Sequence, residues 1–402
     1  MEPLAMDGGS KAISLDQDEL LQWPKMGVEE ERAVLELLRN GEISQSEIGK
    51  TLAAEFKQFI GAKHALPKVN GTACLLSAFF ALGIGKGDEV IAPTNTYWAT
   101  VMPAAFLGAK IVFCESDPTT LCIDPADIRK KVTEKTKAIV PVHIYGYPCE
   151  MDEISEIAEE RGGIPIIEDA SHAHGAEYKG SKVGTLGTCA IFSLQGSKVI
   201  PAGEAGILVT NDIDIHERAM ALGHYEMLQD LDRDAFKKYR RTGLGLKHRI
   251  SPLHAAIALC QLRKFPEING RITRNCETFL NGIEEIEGTG FEIPPRPSYI
   301  KRTYFMNQVL YREGAGIIPR EDLTFLLGSE GLRVGQSRYE MLHKQPYFLE
   351  RGYSASDLQF TDDLCGRLVS FPNFPWDESG ELVQQYIHGI EKVAYHTRDD
   401  FT

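Results

Sequence analysis

The sequence predicts an α/β protein, with a large domain built on a mostly parallel, seven-stranded sheet covered by helices and a smaller C-terminal α+β domain. Between residues 64 and 210, seven short apolar runs alternate with stretches of helical periodicity. Strands separated by helices form parallel sheets with both faces covered. After about residue 250, the alternation gives way to a long helical stretch and a strand with one polar face. That change of pattern indicates the second, smaller unit.

The large domain accounts for most of the predicted elements. The strand candidates are Ala65–Val69, Glu89–Ala92, Lys110–Phe113, Ala138–Val142, Ile164–Ile167, Ala190–Ser193 and Ile207–Thr210. Helices fit between several of them, at Ala73–Leu82, Ala99–Leu107, Pro125–Lys131 and Met151–Arg161. Asp124 and Pro125 form a start signal, because aspartate caps a helix and proline suits its first position.

The flanking segments complete the division of the chain. Residues 1–20 are polar and without a period, so we expect a flexible tail, then a large domain over 21–252 and a small domain over 253–402. Ahead of the first strand, one helix is predicted from Gly27 to Leu38, and Ser46 could cap a second. The elements predicted for the small domain are a helix over Leu253–Ile286 interrupted near Pro266, a strand over Thr303–Arg312, and helices near Arg320–Glu330 and Leu382–His396.

Composition excludes several classes of protein. The chain of 402 residues has a net charge of −14, which argues against a broad nucleic-acid surface. No apolar run approaches the ~20 residues of a membrane span, and the N-terminus lacks the pattern of a signal peptide. The eight cysteines are scattered, without a C-x-x-C pair. Buried free thiols in a cytoplasmic protein explain them better than disulfides or zinc.

The stretch from Ile164 to Thr210 carries the main candidate site. An apolar run ends at Glu168 and Asp169, and Lys198 follows in a small polar loop. A buried carboxylate needs a partner, and a lysine whose pKa is lowered by its surroundings can form a Schiff base with an aldehyde. A pyridoxal phosphate site needs these parts, because the acid pairs with the ring nitrogen. The alternatives are a salt bridge or metal at the acids and a solvated charge at the lysine.

Two turns lie at the same edge of the predicted sheet, where ligands bind in such folds. Asn70–Ala73 follows a strand and opens a helix, so its N–H groups and the helix dipole suit a phosphate. A plain strand-to-helix turn is the alternative. Tyr97 follows another strand and could stack on a flat cofactor ring or pack in the core. For Trp98 we expect core packing.

Further polar residues follow other strands. His172 could reach the ring oxygen of the cofactor or be a surface histidine, and Ser193 and Ser197 are candidate phosphate ligands. The segment 143–146 could line a substrate pocket or form a turn stabilised by its glycine. The basic patch 247–249 is either a solvated face or an anion site.

Six blocks of sequence resemble the DegT-type sugar aminotransferases, which are pyridoxal phosphate enzymes of fold type I. They begin at residues 70, 95, 143, 168, 193 and 203, and read Asn-Gly-Thr-Ala, Asn-Thr-Tyr-Trp-Ala-Thr, His-Ile-Tyr-Gly, Glu-Asp-Ala-Ser-His, Ser-x-x-x-x-Lys and Gly-Glu-Ala-Gly. Each block is weak alone, but six in this order are specific. The resemblance runs from about Trp23 to His396.

The resemblance implies a role for each site residue. Lys198 would be the Schiff-base lysine and proton carrier, Asp169 would bind the pyridine nitrogen, and Tyr97 would stack on the ring. His172 would contact the side of the ring that carries the hydroxyl. The phosphate would be held by Gly71, Thr72, Ala73 and Ser193.

The resemblance also implies a homodimer with shared active sites, because a loop from the partner completes the site in this family. Here Lys247 stands where relatives carry an asparagine, and a lysine could still reach a phosphate as a point charge. Gln195 replaces a common histidine, and Ala205 replaces a glycine. Related sugar dehydratases replace the Schiff-base lysine with histidine, so Lys198 favours transamination.

We therefore expect a transaminase that moves an amino group from glutamate or glutamine, through the pyridoxamine form, to a keto-sugar or keto-cyclitol. The alternatives are a dehydratase that uses the same cofactor and a non-catalytic protein of the same fold. The sequence does not identify the acceptor. The basic residues that could meet a nucleotide phosphate or a carboxylate are Lys247, Arg249, Lys301, Arg302 and Arg338.

Overall fold

The computed structural model describes residues 1–314, 317–336, 339–353 and 357–397, apart from the side chain of Cys365. The helices are α1 Gln17–Leu21, α2 Val28–Asn40, α3 Ile48–Ile60, α4 Gly71–Ala81, α5 Met102–Phe106, α6 Pro125–Lys131, α7 Met151–Glu160, α8 Ile213–Gly223, α9 Asp234–Lys237, α10 Pro252–Glu284, α11 Arg320–Ser329, α12 Pro346–Leu349, α13 Gln359–Arg367 and α14 Glu381–Thr397. The strands are β1 His64–Lys68, β2 Glu89–Pro93, β3 Lys110–Cys114, β4 Thr136–Ile139, β5 Ile167–Asp169, β6 Glu177–Tyr178, β7 Ser181–Lys182, β8 Cys189–Ser193, β9 Gly206–Thr210, β10 Phe291–Glu292, β11 Ile300–Lys301, β12 Asn307–Tyr311 and β13 Leu368–Phe371.

Seven strands form the large sheet, in the order β1-β9-β8-β5-β4-β2-β3. Hydrogen-bonded ladders join the first four strands and the last three. Two parallel bridges, Ile139–Ile166 and Val142–Asp169, connect the two groups. Strand β9 runs antiparallel to both of its neighbours, whereas the other ladders are parallel. The predicted seven-stranded, mostly parallel sheet is therefore confirmed.

Helices cover both faces of this sheet because successive strand residues point to opposite sides. On β9, Leu208 packs into the apolar core beneath α4, α5 and α8. Its neighbours Ile207 and Val209 pack into the core beneath α3 and α10. A third core beneath α6 and α7 continues the second face. Both faces are apolar, so the strands read as continuous apolar runs.

The predicted helix boundaries differ most where proline occurs. The stretch predicted as one helix over Ala99–Leu107 is a 3₁₀ turn over Trp98–Thr100 followed by α5, in whose first turn Pro103 lies. In contrast, α10 runs through Pro266 for 33 residues. Proline removes one helical hydrogen bond, but Pro266 faces solvent, which can hydrate the freed carbonyl. Phe265 and Ile268 beside it are buried in two different cores, and this packing holds the helix together.

The last third of the chain forms an α+β layer, as predicted. Strands β10, β12 and β13 make an antiparallel sheet. The sheet shares a core with the second half of α10 and with α11 and α14. Aromatic rings fill much of this core, with Phe279 4.9 Å from Phe371 and 5.6 Å from Phe374 between ring centroids. The domain boundary at residue 252 stays a prediction.

The structure corrects the expectation of a loose N-terminal tail. Leu4 is only 7% exposed and belongs to the same core as α14. The N–H groups of Ala5 and Ala12 donate to the carboxylate of Glu330, at 2.7 and 3.1 Å. Lys392 Nζ donates to the same carboxylate at 2.9 Å. No local pattern predicts the contacts of Ala5 and Ala12, because Glu330 lies more than 300 residues away along the chain.

The structure also bears on membrane spans, cysteine pairing and metal sites, which the composition raised. Across the described residues, no helix has the length and apolar character needed to cross a membrane. The described cysteine side chains are free thiols, and all but the half-buried Cys260 are buried. Cys365 lies outside them. In the same part of the chain, no group of His, Cys, Asp or Glu side chains could hold a metal ion.

The buried Lys392–Glu330 pair yields a prediction about stability. Lys392→Met should lower the free energy of unfolding by about 3 kcal/mol, because it leaves Glu330 buried without its cation. Lys50→Met is the control, since the exposed Lys50–Glu47 pair should contribute less than ~1 kcal/mol. Urea denaturation of both variants measures the difference. Equal values for the two variants would contradict the importance of the buried pair.

The same pair predicts a pH dependence. Burial raises the pKa of Glu330, but hydrogen bonds from Ala5 and the contact with Lys392 outweigh it and lower the pKa below the usual 4.5. The carboxylate therefore stabilises the folded chain above about pH 4.5, and this stabilisation is lost as the pH falls through the lower folded value. Glu330→Gln should flatten that part of the stability–pH curve, measured by urea titration between pH 3 and 6.

Candidate active site

A cavity of about 390 Å³ lies at the carboxyl ends of the parallel strands, the edge where such sheets bind ligands. Four segments surround it. They are the first residues of α4, the loop after β2, the turn after β5 and the loop after β8. The predicted site residues that line the cavity are Gly71, Thr72, Tyr97, Asp169, His172, Ser193 and Lys198.

Asp169 places a carboxylate in this cavity. The residue is only 4% exposed. Thr100 Oγ1 donates to Oδ2 at 2.8 Å, and the N–H of Ser171 donates to Oδ1 at 3.1 Å. Each carboxylate oxygen is thus held by one donor, which fixes the orientation of the group. Sequence reasoning missed Thr100, although it closes the Asn-Thr-Tyr-Trp-Ala-Thr block.

Glu168 points away from the cavity, because adjacent strand residues face opposite sides. Its carboxylate accepts hydrogen bonds from the N–H groups of Gly184, Leu186 and Gly187, at 2.7, 2.8 and 2.6 Å. His143 Nε2 lies 3.1 Å from Oε2. Both carboxylate oxygens of Glu168 therefore accept hydrogen bonds that hold the loop before β8. Of the two acids, Glu168 thus has a structural role made of hydrogen bonds, with His143 Nδ1 accepting from the N–H of Cys149 at 3.0 Å, while Asp169 faces the cavity.

The turn into α4 forms a cradle of backbone N–H groups. Asn70 caps the helix, with Oδ1 accepting from the N–H of Ala73 at 2.8 Å. The N–H groups of Gly71 and Thr72 precede the first intrahelical hydrogen bond and so suit an anion. Ala73, predicted to hold the phosphate, does not line the cavity, and its N–H is already used by the cap.

Two glycines allow this cradle to form. A Cβ at Gly71 would lie 3.1 Å from Ser193 Cβ, and a Cβ at Gly206 would lie 2.5 Å from the backbone nitrogen of Gly71. The first distance is tight, and the second is impossible without backbone movement. Ser193 and the start of α4 are therefore brought into contact by the absence of side chains. Gly206 is the last residue of the Gly-Glu-Ala-Gly block.

The loop that carries Lys198 is held by its own polar groups. Gln195 Oε1 accepts from the N–H and the Oγ of Ser197, at 2.9 and 2.7 Å. The N–H of Lys198 donates to the Gln195 carbonyl at 2.8 Å. Gln195, whose role the sequence left open, therefore shapes the loop. Lys198 Nζ lies 4.3 Å from the ring centroid of Phe305, and Trp23 Nε1 donates to the Lys198 carbonyl at 3.0 Å.

His172 lies in a stack of flat groups beside Lys198. Its ring centroid is 4.2 Å from that of Phe305, with the planes 20° apart. The N–H of Tyr145 donates to Nδ1 at 3.3 Å, so a neutral imidazole carries its proton on Nε2. Nε2 lies 3.3 Å from the hydroxyl of Tyr339. The surface alternative is excluded, since His172 is 3% exposed.

A profile of the DegT/DnrJ/EryC1/StrS aminotransferase family matches residues 24–389. The chain belongs to this family. It is accordingly an aminotransferase, and the resemblance found in the sequence is confirmed.

Solved structures agree with this assignment. The aminotransferase from Psychrobacter cryohalolentis has a TM-score of 0.85 and 26% identity, over 94% of this chain and 99% of that one. The DesV protein of S. venezuelae, solved with a ketimine intermediate, has a TM-score of 0.80 and 27% identity, over 96% of this chain and 99% of that one. The 3-amino-5-hydroxybenzoic acid synthase has a TM-score of 0.81 and 25% identity, over 93% of this chain and 98% of that one.

Two aromatic residues at the cavity mouth, Tyr97 and Trp98, are exposed rather than packed in the core. Tyr97 lines the cavity and is 45% exposed, so its ring is not in the core. Trp98, for which core packing was predicted, is 43% exposed, and its ring centroid lies 4.7 Å from that of Tyr97. That prediction is wrong because Trp98 begins a 3₁₀ turn at the surface. Tyr339 also lines the cavity and was missed, since it follows the last strand of the large sheet by more than 120 residues.

Four of the five basic residues considered for the acceptor do not line the cavity, namely Lys247, Arg249, Lys301 and Arg302. Lys247 belongs to a surface loop, with Nζ 5.8 Å from the ring centroid of Tyr225; its role toward a partner subunit stays a prediction. Lys301 pairs with Glu177 at 3.0 Å. Arg302 is buried, with its guanidinium 4.3 Å from the ring centroid of Tyr304. Arg249 pairs with Glu226 at 3.6 Å. Arg338 lies outside the described residues.

The close backbone contact at Gly206 predicts a stability difference between two glycines. Gly206→Ala should lower the free energy of unfolding by about 2 kcal/mol or more, because the new Cβ would collide with the start of α4. Gly196→Ala is the matched control, since no atom lies within 4 Å of a Cβ there and the change should stay within about 0.5 kcal/mol. Urea denaturation measures both. A Gly206→Ala variant as stable as the control would disprove the close contact.

Proposed function

We propose that this aminotransferase uses pyridoxal phosphate to move an amino group from glutamate or glutamine to a keto-sugar or keto-cyclitol. The observation that carries the proposal is that Lys198 and Asp169 line one cavity with the N-terminus of α4. An amine, a carboxylate and an anion cradle are the groups that this cofactor requires. Its aldehyde, when bound, accepts the amino group, and its ring delocalises the electrons of the reacting carbon.

The residues fit the cofactor in polarity and shape. Gly71, Thr72 and Ser193 would hold the phosphate, in the cradle that the two glycines keep free of side chains. Asp169 would pair with the ring nitrogen. Tyr97 would stack on the ring, and His172 would donate from Nε2 toward the ring hydroxyl. Ala73 would support this cradle through its hydrogen bond to Asn70.

Lys198 would carry the proton between substrate and cofactor. Its amine stands beside the aromatic face of Phe305, which attracts it as a cation without accepting its proton. Burial and the charge of Lys198 lower the pKa of the neighbouring His174 to about 3. His174 is therefore neutral at pH 7 and leaves the cavity's proton chemistry to other groups.

We further propose that the working enzyme is a cytoplasmic homodimer with shared active sites and that Lys247 of one subunit reaches the phosphate of the other. The support is its exposed position next to Tyr225, which is 56% exposed. The acceptor is a nucleotide-linked keto-sugar or a keto-cyclitol. Transamination is preferred over dehydration because position 198 holds an amine that can carry protons.

The proposed reaction is tested by following a labelled amino group. The chain, supplied with pyridoxal phosphate and ¹⁵N-glutamate, should release 2-oxoglutarate in a single turnover and retain the label on the cofactor. Amide-labelled glutamine is the second donor. Lys198→Arg keeps the positive charge but cannot transfer the proton, so turnover should fall by at least about 10³-fold. Lys301→Arg, at the surface, is the control.

The outcomes separate the proposed function from its alternatives. Elimination of water from the acceptor without transfer of label would favour the dehydratase. Cofactor binding with no release of 2-oxoglutarate from either donor would favour the non-catalytic protein. Activity in Lys198→Arg equal to that of the unchanged chain would refute the role of the lysine.

The hydrogen bond from Thr100 to Asp169 predicts a change in cofactor affinity. Thr100→Val removes one of two donors to a buried carboxylate, so the carboxylate is less well oriented for the ring nitrogen. The dissociation constant of pyridoxal phosphate should rise by roughly tenfold, since a hydrogen bond to a charged group contributes about 1.5–3 kcal/mol. Thr119→Val, at an exposed turn, should leave it unchanged. Spectroscopic titration measures the constants, and equal values in both variants would count against this role of Thr100.

A further inference from the structure

Two polar side chains that the proposed function leaves without a role toward cofactor or substrate line the active-site cavity, namely Gln195 and Glu204. They lie on the two arms of the hairpin whose loop carries Lys198, between the end of β8 and the start of β9. Glu204 is exposed and Gln195 is half-buried. Both side chains therefore border the space into which the lysine opens and stay accessible to a ligand in it.

Backbone hydrogen bonds fix these two residues relative to each other. The N–H groups of the residues on either side of Gln195 donate to the carbonyls of the residues on either side of Glu204, at 2.8 and 2.9 Å. The two bonds bracket Gln195 on one arm of the hairpin and Glu204 on the other. Residues bracketed in this way are cross-strand neighbours, whose side chains can contact one small ligand together.

The orientation of the Gln195 amide follows from its hydrogen bonds. The atom that faces the N–H of Ser197 at 2.9 Å must be an acceptor, so it is the carbonyl oxygen Oε1, which also accepts from Ser197 Oγ. The two N–H donors of Nε2 are then left over, and no described residue accepts from them. The carboxylate of Glu204 offers acceptors only. Within the described ranges it has no hydrogen-bond or ion-pair partner either.

A hydroxyl group complements this pair, because it donates one hydrogen bond and also accepts. It can donate to the Glu204 carboxylate and accept from Gln195 Nε2, and two adjacent ring hydroxyls can share the two contacts. An ammonium group has no acceptor and would use Glu204 alone. A carboxylate or phosphate would be repelled by the charge of Glu204.

We propose that Gln195 and Glu204 bind hydroxyls of the amino acceptor and thereby determine its class, namely an uncharged ring with two adjacent free hydroxyls. The inference rests on the proposed function and deepens it, since a keto-sugar or keto-cyclitol is a polyhydroxylated ring. The pair selects against an acidic group at this part of the acceptor. Any phosphate of a nucleotide-linked acceptor lies away from it.

The first experiment measures binding without any reaction. Inositol, a six-membered carbon ring with six hydroxyls, is titrated against the full chain in the presence of pyridoxamine phosphate and followed by saturation-transfer NMR. It should bind saturably to the unchanged chain. Inositol has no carbonyl, so its dissociation constant reports contacts with its hydroxyls alone.

Two variants separate the two partners of those hydroxyls. Glu204→Met removes the acceptor and should raise the dissociation constant of inositol at least about tenfold, because a hydrogen bond to a charged group is lost. Gln195→Glu removes the Nε2 donor but keeps an oxygen for Ser197, and should raise the constant roughly fivefold. It needs no repacking, so it tests the pair even if Glu204→Met folds poorly. Glu134→Met, at an exposed turn, is the matched control.

The second experiment links the pair to the lysine. Pentahydroxycyclohexanone and cyclohexanone are each incubated with cyanoborohydride and the full chain freed of cofactor. The Lys198 amine and the ketone lose water to form an imine, which hydride reduces to a stable secondary amine. Peptide mass spectrometry compares labelling of Lys198 with that of the exposed Lys50, which corrects for the different reactivity of the ketones. The hydroxylated ketone should be preferred at Lys198 by about tenfold, and Glu204→Met should abolish this preference while Glu134→Met retains it.

These results decide the inference independently of the proposed function. Non-saturable inositol binding, equal dissociation constants for Glu204→Met and Glu134→Met, or an unchanged constant in Gln195→Glu would each overturn it. A labelling preference that is the same in Glu204→Met and Glu134→Met would do so as well. Failure of the proposed function would instead appear as no amino transfer from labelled glutamate or glutamine. The inositol titration needs no amino donor, so the two failures are distinguishable.

Discussion

The site depends on two adjacent acids at the end of β5 that face opposite sides of the sheet. Glu168 is fully buried and accepts three backbone N–H groups as well as the contact with His143. It thereby fixes the loop that leads into β8. Asp169 is left facing the cavity, oriented by Thr100. A buried carboxylate held in this way is costly unless it meets a cation, which is the role that the proposed function gives to the ring nitrogen of the cofactor.

The remaining parts of the site come from segments far apart in the chain. The start of α4 approaches Ser193 because Gly71 and Gly206 have no side chains. Lys198 is fixed from the other direction by Trp23 and Phe305. The N-terminal segment and the C-terminal layer thus support a lysine carried by a loop of the large domain.

Much of the fold and the polar part of the site could be predicted from sequence. Asn70–Ala73 and Asp169 end or follow apolar strand runs, and the carboxyl ends of parallel strands meet at one edge. Short apolar runs predicted all seven strands, because both faces of the sheet are buried and its strands are therefore apolar throughout. It failed at Trp98, where a surface turn looks apolar in sequence, and at Pro266, where packing on both sides outweighs one missing hydrogen bond.

The sequence by itself determined the alternation of strands and helices, the cradle at α4 and the presence of Asp169 and Lys198 in one site, because each depends on short-range pattern or on ordered motifs. Only the tertiary structure decided that Ala5 and Ala12 bond to Glu330, that Trp23 and Phe305 contact Lys198, and that Tyr339 lines the cavity beside His172. The physical reason is that these contacts join residues separated by a hundred positions or more, and burial against a distant partner leaves no periodic signal in the local sequence.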